Sequence, residues 1–215
     1  FCLDHYWNYE SYVGRTMMNW ISLDPCGGDR MVRGGYYEDD PGVVTSTLRY
    51  ATSEDEVEPG GGLRVVLSEE FPSIRSVLDE TGKAPIKIES LGLVLHWIPS
   101  GEFMMGEPSP DTPRGPDVFP VTPVLLTSGF WMATTEITES QYQRETDSSV
   151  RGLVSSGTAY SIARRDLPMA NVTWNQAAAF CINLTDDLAE LGDLPEGMVV
   201  RLPTEAEWEW ACRRC

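Results

Sequence analysis

Thiols and imidazoles are the side chains of this chain that could hold a metal or attack a substrate, and there are few of each. The five cysteines are spaced irregularly: Cys2, Cys26, Cys181, Cys212 and Cys215. An odd number at such intervals does not indicate a disulfide framework. The two histidines, His5 and His96, exclude a site built from three imidazoles, and no HExxH motif is present.

One cysteine pair has the spacing of a redox or metal motif. Cys212 and Cys215 enclose two arginines, whose positive charge would lower the thiol pKa values. A functional CxxC needs a strand context or a second ligand pair, and neither is evident. Cys181 falls on the apolar stripe of a predicted helix, so we expect it to pack in the core.

An acidic cluster follows two glycines near residue 35. Glu38, Asp39 and Asp40 could offer oxygen ligands to calcium. The alternate spacing of an EF-hand and its later bidentate Glu are missing. A solvated turn is therefore the favoured interpretation.

A second acidic cluster, Glu205, Glu207 and Glu209, surrounds two tryptophans and follows Arg201. Carboxylates two residues apart on a helix point in different directions, so their spacing does not define an acid and base pair. We expect instead a buried pair between Arg201 and one carboxylate that fixes the start of the helix.

Charge and motif content exclude several classes of function. The formal net charge is −17, whereas binding to nucleic acid or anionic lipid depends on clustered Lys and Arg. The longest apolar run, residues 91–98, is far shorter than the roughly 20 residues that cross a bilayer. Neither a GxxxxGK(S/T) phosphate loop nor a GxSxG elbow occurs. We expect no nucleic-acid partner and no membrane span.

Three capping boxes predict where the elements that carry these residues begin. TESQ at 138–141, TWNQ at 173–176 and TEAE at 204–207 each place Gln or Glu three residues after Thr, which satisfies backbone donors at a helix start. The middle helix has one apolar stripe: Ala177, Phe180, Cys181, Leu184 and Leu188. Short strands are predicted at residues 31–33, 63–67, 91–98, 102–105, 121–126 and 130–133. The acidic stretch 54–58 is expected to be a solvated loop.

The segment RLPTEAEWEW at residues 201–210 strongly resembles the formylglycine-generating enzyme family, also called sulfatase-modifying factors. IPSGEFMMG at 98–106, TEIT at 135–138 and residues 168–174 resemble it in matching order. Residues 1–6, 30–35 and 62–66 are instead similar to the other end of such a domain. The positions that match the family signature are Arg33, Gly34, Gly35, Arg64, Gly106, Glu136, Thr138, Trp174, Arg201, Pro203, Thr204, Glu205, Glu207 and Trp208.

The resemblance implies that the piece expected last comes first. Residues 1–71 would be the C-terminal segment of one such domain, residues 72–88 a connector with a short helix, and residues 89–215 the N-terminal half of a second domain. A tandem array cut at both ends explains this order, and a permuted single domain is the alternative. Because residues 1–71 would bury too little apolar surface alone, we predict contacts between residues 30–44 and 201–210.

The resemblance also implies a fold and a reaction. The fold would be α+β and C-type-lectin-like, irregular and loop-rich, with short β-strands and three short helices. The family reaction is the copper-dependent oxidation of a sulfatase cysteine to formylglycine by dioxygen, and catalytic members also bind calcium. Two cysteines hold their copper, because soft thiolates suit Cu(I). Counted from Gly35, these positions fall on Asp39 and Val44, so the first segment is expected to lack this activity.

Two functions therefore stay open at the level of sequence. The chain is either part of an enzyme of this family, with its copper cysteines outside this sequence, or a lectin-like binding module that recognises a protein or a glycan, because a fold does not fix a function. We expect a protein or peptide partner, and no copper or calcium ligand is assigned to a residue of this sequence. A periplasmic or secreted location and a cytoplasmic one are both compatible with it.

Overall fold

The computed structural model describes residue 2 and residues 17–18, 29–34, 46–57, 61–69, 83–106, 121–146 and 166–214. The strands of this part are β1 (Met17–Met18), β2 (Asp29–Arg33), β3 (Arg49–Ser53), β4 (Val66–Glu69), β5 (Ile86–Ile88), β6 (Leu93–Ile98), β7 (Gly101–Met105), β8 (Thr122–Leu126), β9 (Phe130–Ala133) and β10 (Met198–Arg201). Its helices are α1 (Glu139–Thr146), α2 (Trp174–Leu191) and α3 (Glu205–Arg214). The predicted class, α+β and loop-rich with short strands and three helices, is confirmed for these residues.

The largest sheet combines strands from distant parts of the chain. Its order is β10-β4-β9-β6-β5, and every neighbouring pair is antiparallel. Strand β4 lies between β10 and β9, with Val66 opposite Arg201 on one side and Met132 on the other. A strand from the first third of the sequence is thus enclosed by two later ones.

Two smaller sheets complete the strand arrangement of the described residues. In the three-stranded sheet, β1 pairs in parallel with β8, and β7 pairs with β8 in the antiparallel sense. The hairpin of β2 and β3 is antiparallel, with Asp29 opposite Ser53 and Arg33 opposite Arg49. This register places both arginines at the same end of the hairpin, and that end faces α3.

The core is built from both ends of the sequence. One cluster contains the predicted α2 stripe, whose five members are all buried, together with Leu63, Val65 and Leu67. A second cluster surrounds Phe130 and Trp210 and includes Val66. Residues 65 and 66 therefore point into different clusters, as alternation along an extended chain requires.

All three predicted capping boxes are present. Thr138 caps α1 with Gln141, Thr173 caps α2 with Gln176, and the third box has the same pattern at α3. In each box the Thr hydroxyl accepts from the third helical amide while the Gln or Glu side chain accepts from the Thr amide. The three helices consequently begin where the sequence predicts.

The strand predictions are partly correct. The strand expected at 63–67 begins at Val66, while Leu63 and Val65 use their carbonyl oxygens to accept from Ile137 and Ala133. Strands β1, β3, β5 and β10 were not predicted. β5 occupies part of the expected connector, whose predicted short helix lies outside the described residues.

The acidic stretch 54–58 is more than a solvated loop. Residues 55–57 are exposed, but Glu54 pairs with Arg30 and Asp55 accepts from Asn175 at 2.8 Å. These contacts connect the β2–β3 hairpin to the start of α2. Glu58 lies outside the described residues. Among the helices that are described, none has the length and apolar character needed to span a membrane.

Candidate functional site

A buried ion network joins the β2–β3 hairpin to helix α3. Arg33 lies against Glu209 and 3.4 Å from Glu205, and it also donates to the carbonyl oxygens of residues 46 and 47. Arg49 contacts the same Glu205 carboxylate, with Nε 2.7 Å from Oε1. Both glutamates are fully buried. The predicted contact between residues 30–44 and 201–210 is therefore present at Arg33.

Glu209 also holds the end of strand β7. Its Oε1 accepts the Gly106 backbone N–H at 2.8 Å and lies 2.6 Å from Arg213. Arg213 in turn donates to the Gly106 carbonyl oxygen at 2.7 Å. One carboxylate thus joins three parts of the chain: β2, the end of β7 and α3. The i, i+4 spacing of Glu205 and Glu209 puts both on the same face of α3.

The expected pair of Arg201 with a carboxylate is confirmed, and the carboxylate is Glu207. Two parallel contacts of 2.7 Å join the guanidinium to Oε1 and Oε2, and Ser68 accepts from Arg201 at 3.0 Å. Burial alone would raise the pKa of Glu207, but the charge and hydrogen bonds of Arg201, with hydrogen bonds from Thr204, hold that pKa below its usual value. Because Thr204 N also donates to Glu207 at 2.7 Å, the pair fixes the start of α3.

Two glycines allow close approach between these elements. Gly34 has φ +85°, and a Cβ there would lie 3.3 Å from the Trp208 ring. Gly62 faces Glu136, whose Oε1 would be 2.9 Å from a Cβ at that position. Arg33 lies beneath the same tryptophan, 5.4 Å from its ring centroid. The signature residues Gly34 and Trp208 therefore lie close together, with little room for a side chain at residue 34, although the sequence separates them widely.

Trp174 anchors the start of α2 to the first segment. The Arg30 guanidinium lies 3.7 Å from its ring centroid, within the range of a cation–π interaction. The indole Nε1 donates to the Cys2 carbonyl oxygen at 2.7 Å, and Asn175 N donates to the Glu54 carbonyl oxygen at 3.2 Å. Trp174 thus contacts two separate parts of the first 71 residues, and its neighbour Asn175 contacts a third.

The remaining signature positions have simpler environments. Thr138 caps α1, Pro203 is buried before α3, and Arg64 is half-buried beside β4. Gly35 lies outside the described residues, as do the copper positions Asp39 and Val44 with the acidic cluster around them. The metal predictions for that segment therefore remain predictions.

The described cysteines differ in environment. Cys181 is buried in the α2 stripe, and burial raises the pKa of its thiol to about 12, although Arg201 lowers it in part. Cys2 is also buried, while Cys212 is half-exposed in the last turn of α3, and none of the three forms a disulfide. A protonated, enclosed thiol is a poor metal ligand, so Cys181 packs as expected. In the described ranges no three His, Cys, Asp or Glu residues group as a metal site would require.

One carboxyl has a pKa near neutrality. Burial, with a smaller contribution from the negative charge of Asp187, raises the pKa of Glu145 to about 7. Glu145 lies in the last turn of α1, half-buried, and its Oε1 has no hydrogen-bond partner. This pKa shift was not predictable from the sequence, because it depends on the packing of α1 against α2.

Sequence analysis missed two members of the network. Arg49 was not considered, and Glu209 was noted only as part of a cluster. The spacing of Glu205 and Glu209 was a usable signal, since two carboxylates on one buried helix face require positive partners. The partner in β3 had no local signal, because 156 positions separate Arg49 from Glu205.

Comparison with known proteins supports the family resemblance that the signature residues indicate. A family model described as a sulfatase-modifying factor enzyme 1-like domain matches residues 92–215. Searches of curated proteins and of solved structures returned no match. The match covers more than half of the chain and contains the α3 carboxylates, all three capping boxes and strands β6 to β10. The chain therefore belongs to the family of sulfatase-modifying factor enzyme 1-like domains.

Proposed function

We propose that this chain is a non-oxidising member of the family that binds a protein or peptide on a sulfatase-modifying-factor scaffold. The observation that carries the proposal is the use of the signature residues. Arg33, Glu205 and Glu207 are buried and Arg201 is half-buried, and each is paired with another of these residues or with a close neighbour, so they hold elements together. None of these four groups is left exposed to act on a substrate.

The side chains at the expected copper positions support the same proposal. Copper in the family reaction would supply the activation of dioxygen, and it needs soft thiolate ligands. The positions counted from Gly35 carry Asp39 and Val44, a hard carboxylate and an apolar side chain. Cys181 does not substitute for them, because it is buried and its pKa is about 12. The residues present do not fit a Cu(I) site.

The family's oxidation of a sulfatase cysteine to formylglycine is the second candidate function. The family match over residues 92–215 favours it. It would require a thiolate pair that the segment after Gly35 does not contain. We therefore propose binding, and not oxidation, as the function of this chain.

The experiment offers the protein a cysteine-containing peptide of sulfatase type, with Cu(I) and oxygen, and looks for the aldehyde by mass spectrometry. We expect no aldehyde, and we expect binding of a Cys-to-Ser version of the peptide in a fluorescence anisotropy titration. Copper-dependent aldehyde formation by the unmodified chain would contradict the proposal. Failure of both the peptide and a panel of glycans to bind would contradict the binding function.

A matched variant tests the assignment of the copper positions. The double substitution Asp39→Cys with Val44→Cys places two thiols where the resemblance puts the ligands. We expect it to gain Cu(I) affinity in a chelator competition titration, relative to the unmodified chain. Asp40→Cys with Val43→Cys is the control, since it adds the same two thiols at neighbouring positions. Equal affinity in both double variants would refute the assignment.

A further inference from the structure

The part of the chain that matches the family does not form a continuous sheet by itself. Strands β9 and β10 both lie in the matched range 92–215, yet they do not pair with each other. Strand β4 lies between them and pairs with both, over four positions with β10 and two with β9. Without β4, the facing edges of β9 and β10 would have unpaired backbone groups in the protein interior.

The buried carboxylates of the matched range also depend on partners from outside it. Glu205 and Glu209 are fully buried on α3, inside the matched range. Their positive partners Arg33 and Arg49 come from the hairpin before it, although Arg213 of α3 also contacts Glu209. A buried carboxylate without its cation is strongly unfavourable. Residues 92–215 therefore need positive charge from outside the matched range.

The two apolar clusters of the matched range also include residues from the first segment. Leu63, Val65 and Leu67 fill the cluster around α2, and Val66 fills the cluster around Phe130. The alternation of residues 63–67 thus contributes to both cores at once. Strand pairing, buried ion pairs and apolar packing therefore all connect the matched range to residues 29–69.

We propose that residues 92–215 form a recognition surface for a polypeptide segment that combines a central strand with two arginines. The segment that fits it is residues 29–69 of the same chain. The contacts that hold it are non-covalent, so recognition does not depend on the covalent connection between the two parts. This proposal is independent of the proposed binding function, because it concerns contacts within one chain.

The geometry of the connection assigns the segment to the same copy of the chain. Strand β5 lies three strand positions from β4, or about 14 Å. The two strands run in opposite directions, so the end of β4 and the start of β5 lie at the same end of the sheet. Residues 70–85 join them, and a chain of this length reaches about 50 Å when extended. The connection is long enough to close within one molecule.

The test cuts the full chain after it has folded. A Gly/Ser-flanked site for a sequence-specific protease is inserted between residues 76 and 77, and the folded protein is then cleaved. We expect the two pieces to remain together as a 1:1 particle in size-exclusion chromatography and native mass spectrometry, with one shared thermal unfolding transition. Separation of the pieces in native buffer would overturn the proposal. A 2:2 particle would also overturn it, since the segment would then belong to a second copy.

A charge-matched pair of variants identifies the contacts responsible. Glu205→Gln with Glu209→Gln in the cleavable chain should weaken association of the cut pieces at least tenfold. Glu89→Gln with Glu190→Gln removes two exposed carboxylates and should leave association unchanged. Equal weakening by both pairs would contradict the role of the buried network. Should the first pair fail to fold, the cleavage of the unmodified chain still decides between association and separation.

Discussion

Arg49 and Glu205 face each other inside the protein, with Nε 2.7 Å from Oε1 and neither side chain exposed to solvent. They come from β3 and α3, which are adjacent only in the folded chain. A buried ion pair is not in itself a large source of stability, but removal of one partner leaves an uncompensated charge. The pair therefore makes the hairpin and helix α3 dependent on each other.

Glu205→Gln should destabilise the protein strongly, because Arg49 keeps its charge and Arg33 loses one of its two carboxylates. Loss of one partner from a buried pair costs about 3–5 kcal/mol. The measurement is the free energy of unfolding from urea titrations. Glu89→Gln is the control, since it breaks the exposed pair with Lys87 and should cost less than about 1 kcal/mol. Equal losses in the two variants would show that the buried network is not special.

Gly34→Ala should destabilise for two reasons. Its φ of +85° is unfavourable for a residue with a Cβ, at about 1–2 kcal/mol, and that Cβ would crowd the Trp208 ring. Gly192→Ala is the matched control: it has φ +75° at the end of α2 but nothing within 4 Å of the added carbon. Thermal unfolding should show a larger loss for Gly34→Ala. A larger loss for Gly192→Ala would contradict the contact with Trp208.

Glu145 should make stability fall as the pH rises. Its pKa of about 7 in the folded protein is above the ordinary value of 4.5 for a glutamate, so the folded state holds the proton more tightly than the unfolded state. Its contribution is fully present below pH 4.5 and is lost as the pH rises through 7. Glu145→Gln should therefore stabilise the protein at pH 8 by roughly 1 kcal/mol, after allowance for solvent screening of a half-buried group, and have little effect at pH 4.

The control for Glu145 is Glu190→Gln, which removes an exposed carboxylate of α2. Urea titrations at pH 4, 6 and 8 measure both variants. Asp187→Asn should give a smaller gain than Glu145→Gln, because Asp187 is the lesser of the two causes of the shift. A gain for Glu145→Gln that does not change with pH would contradict the assigned pKa.

Cys181 should resist alkylation in the folded protein. It is buried and its pKa is about 12, so little thiolate exists at pH 8 and the reagent has no access. Cys212, which is half-exposed, should react first. Peptide mass spectrometry after iodoacetamide treatment measures both, with and without urea. Labelling of Cys181 at the rate of Cys212 in native buffer would show that the α2 stripe opens readily.

Features with local causes were predictable from sequence. The capping boxes at Thr138, Thr173 and Thr204 involve residues three positions apart, and all three helices begin there. The apolar stripe of α2 and the pair of Arg201 with a carboxylate were predicted for the same reason. Strands β1, β3, β5 and β10 were missed, because such short strands have little signal of their own. Strands β1 and β10 also pair with strands that are far away in the sequence.

The candidate site was predictable as a list of residues but not as an arrangement. The resemblance pointed to Arg33 and Glu205, and the structure adds the cross-connections to Arg49 and Glu209. Glu207 was part of the same acidic cluster, yet it faces Arg201 and not the hairpin. The pairing of each carboxylate with an arginine depends on how α3 is oriented against the sheets in the folded protein. A single sequence does not specify that orientation.

The central position of β4 has a consequence for synthesis of the protein. Ser68 and its partner Arg201 are 133 positions apart, so the ribosome produces β4 long before the strand that covers its outer edge. Contacts between such distant residues slow folding, because a long loop must close before they form. A nascent chain that ends before β10 exposes an apolar strand edge, which makes it prone to aggregation and a substrate for chaperones. Truncation immediately before β10 should therefore lower the solubility of the protein.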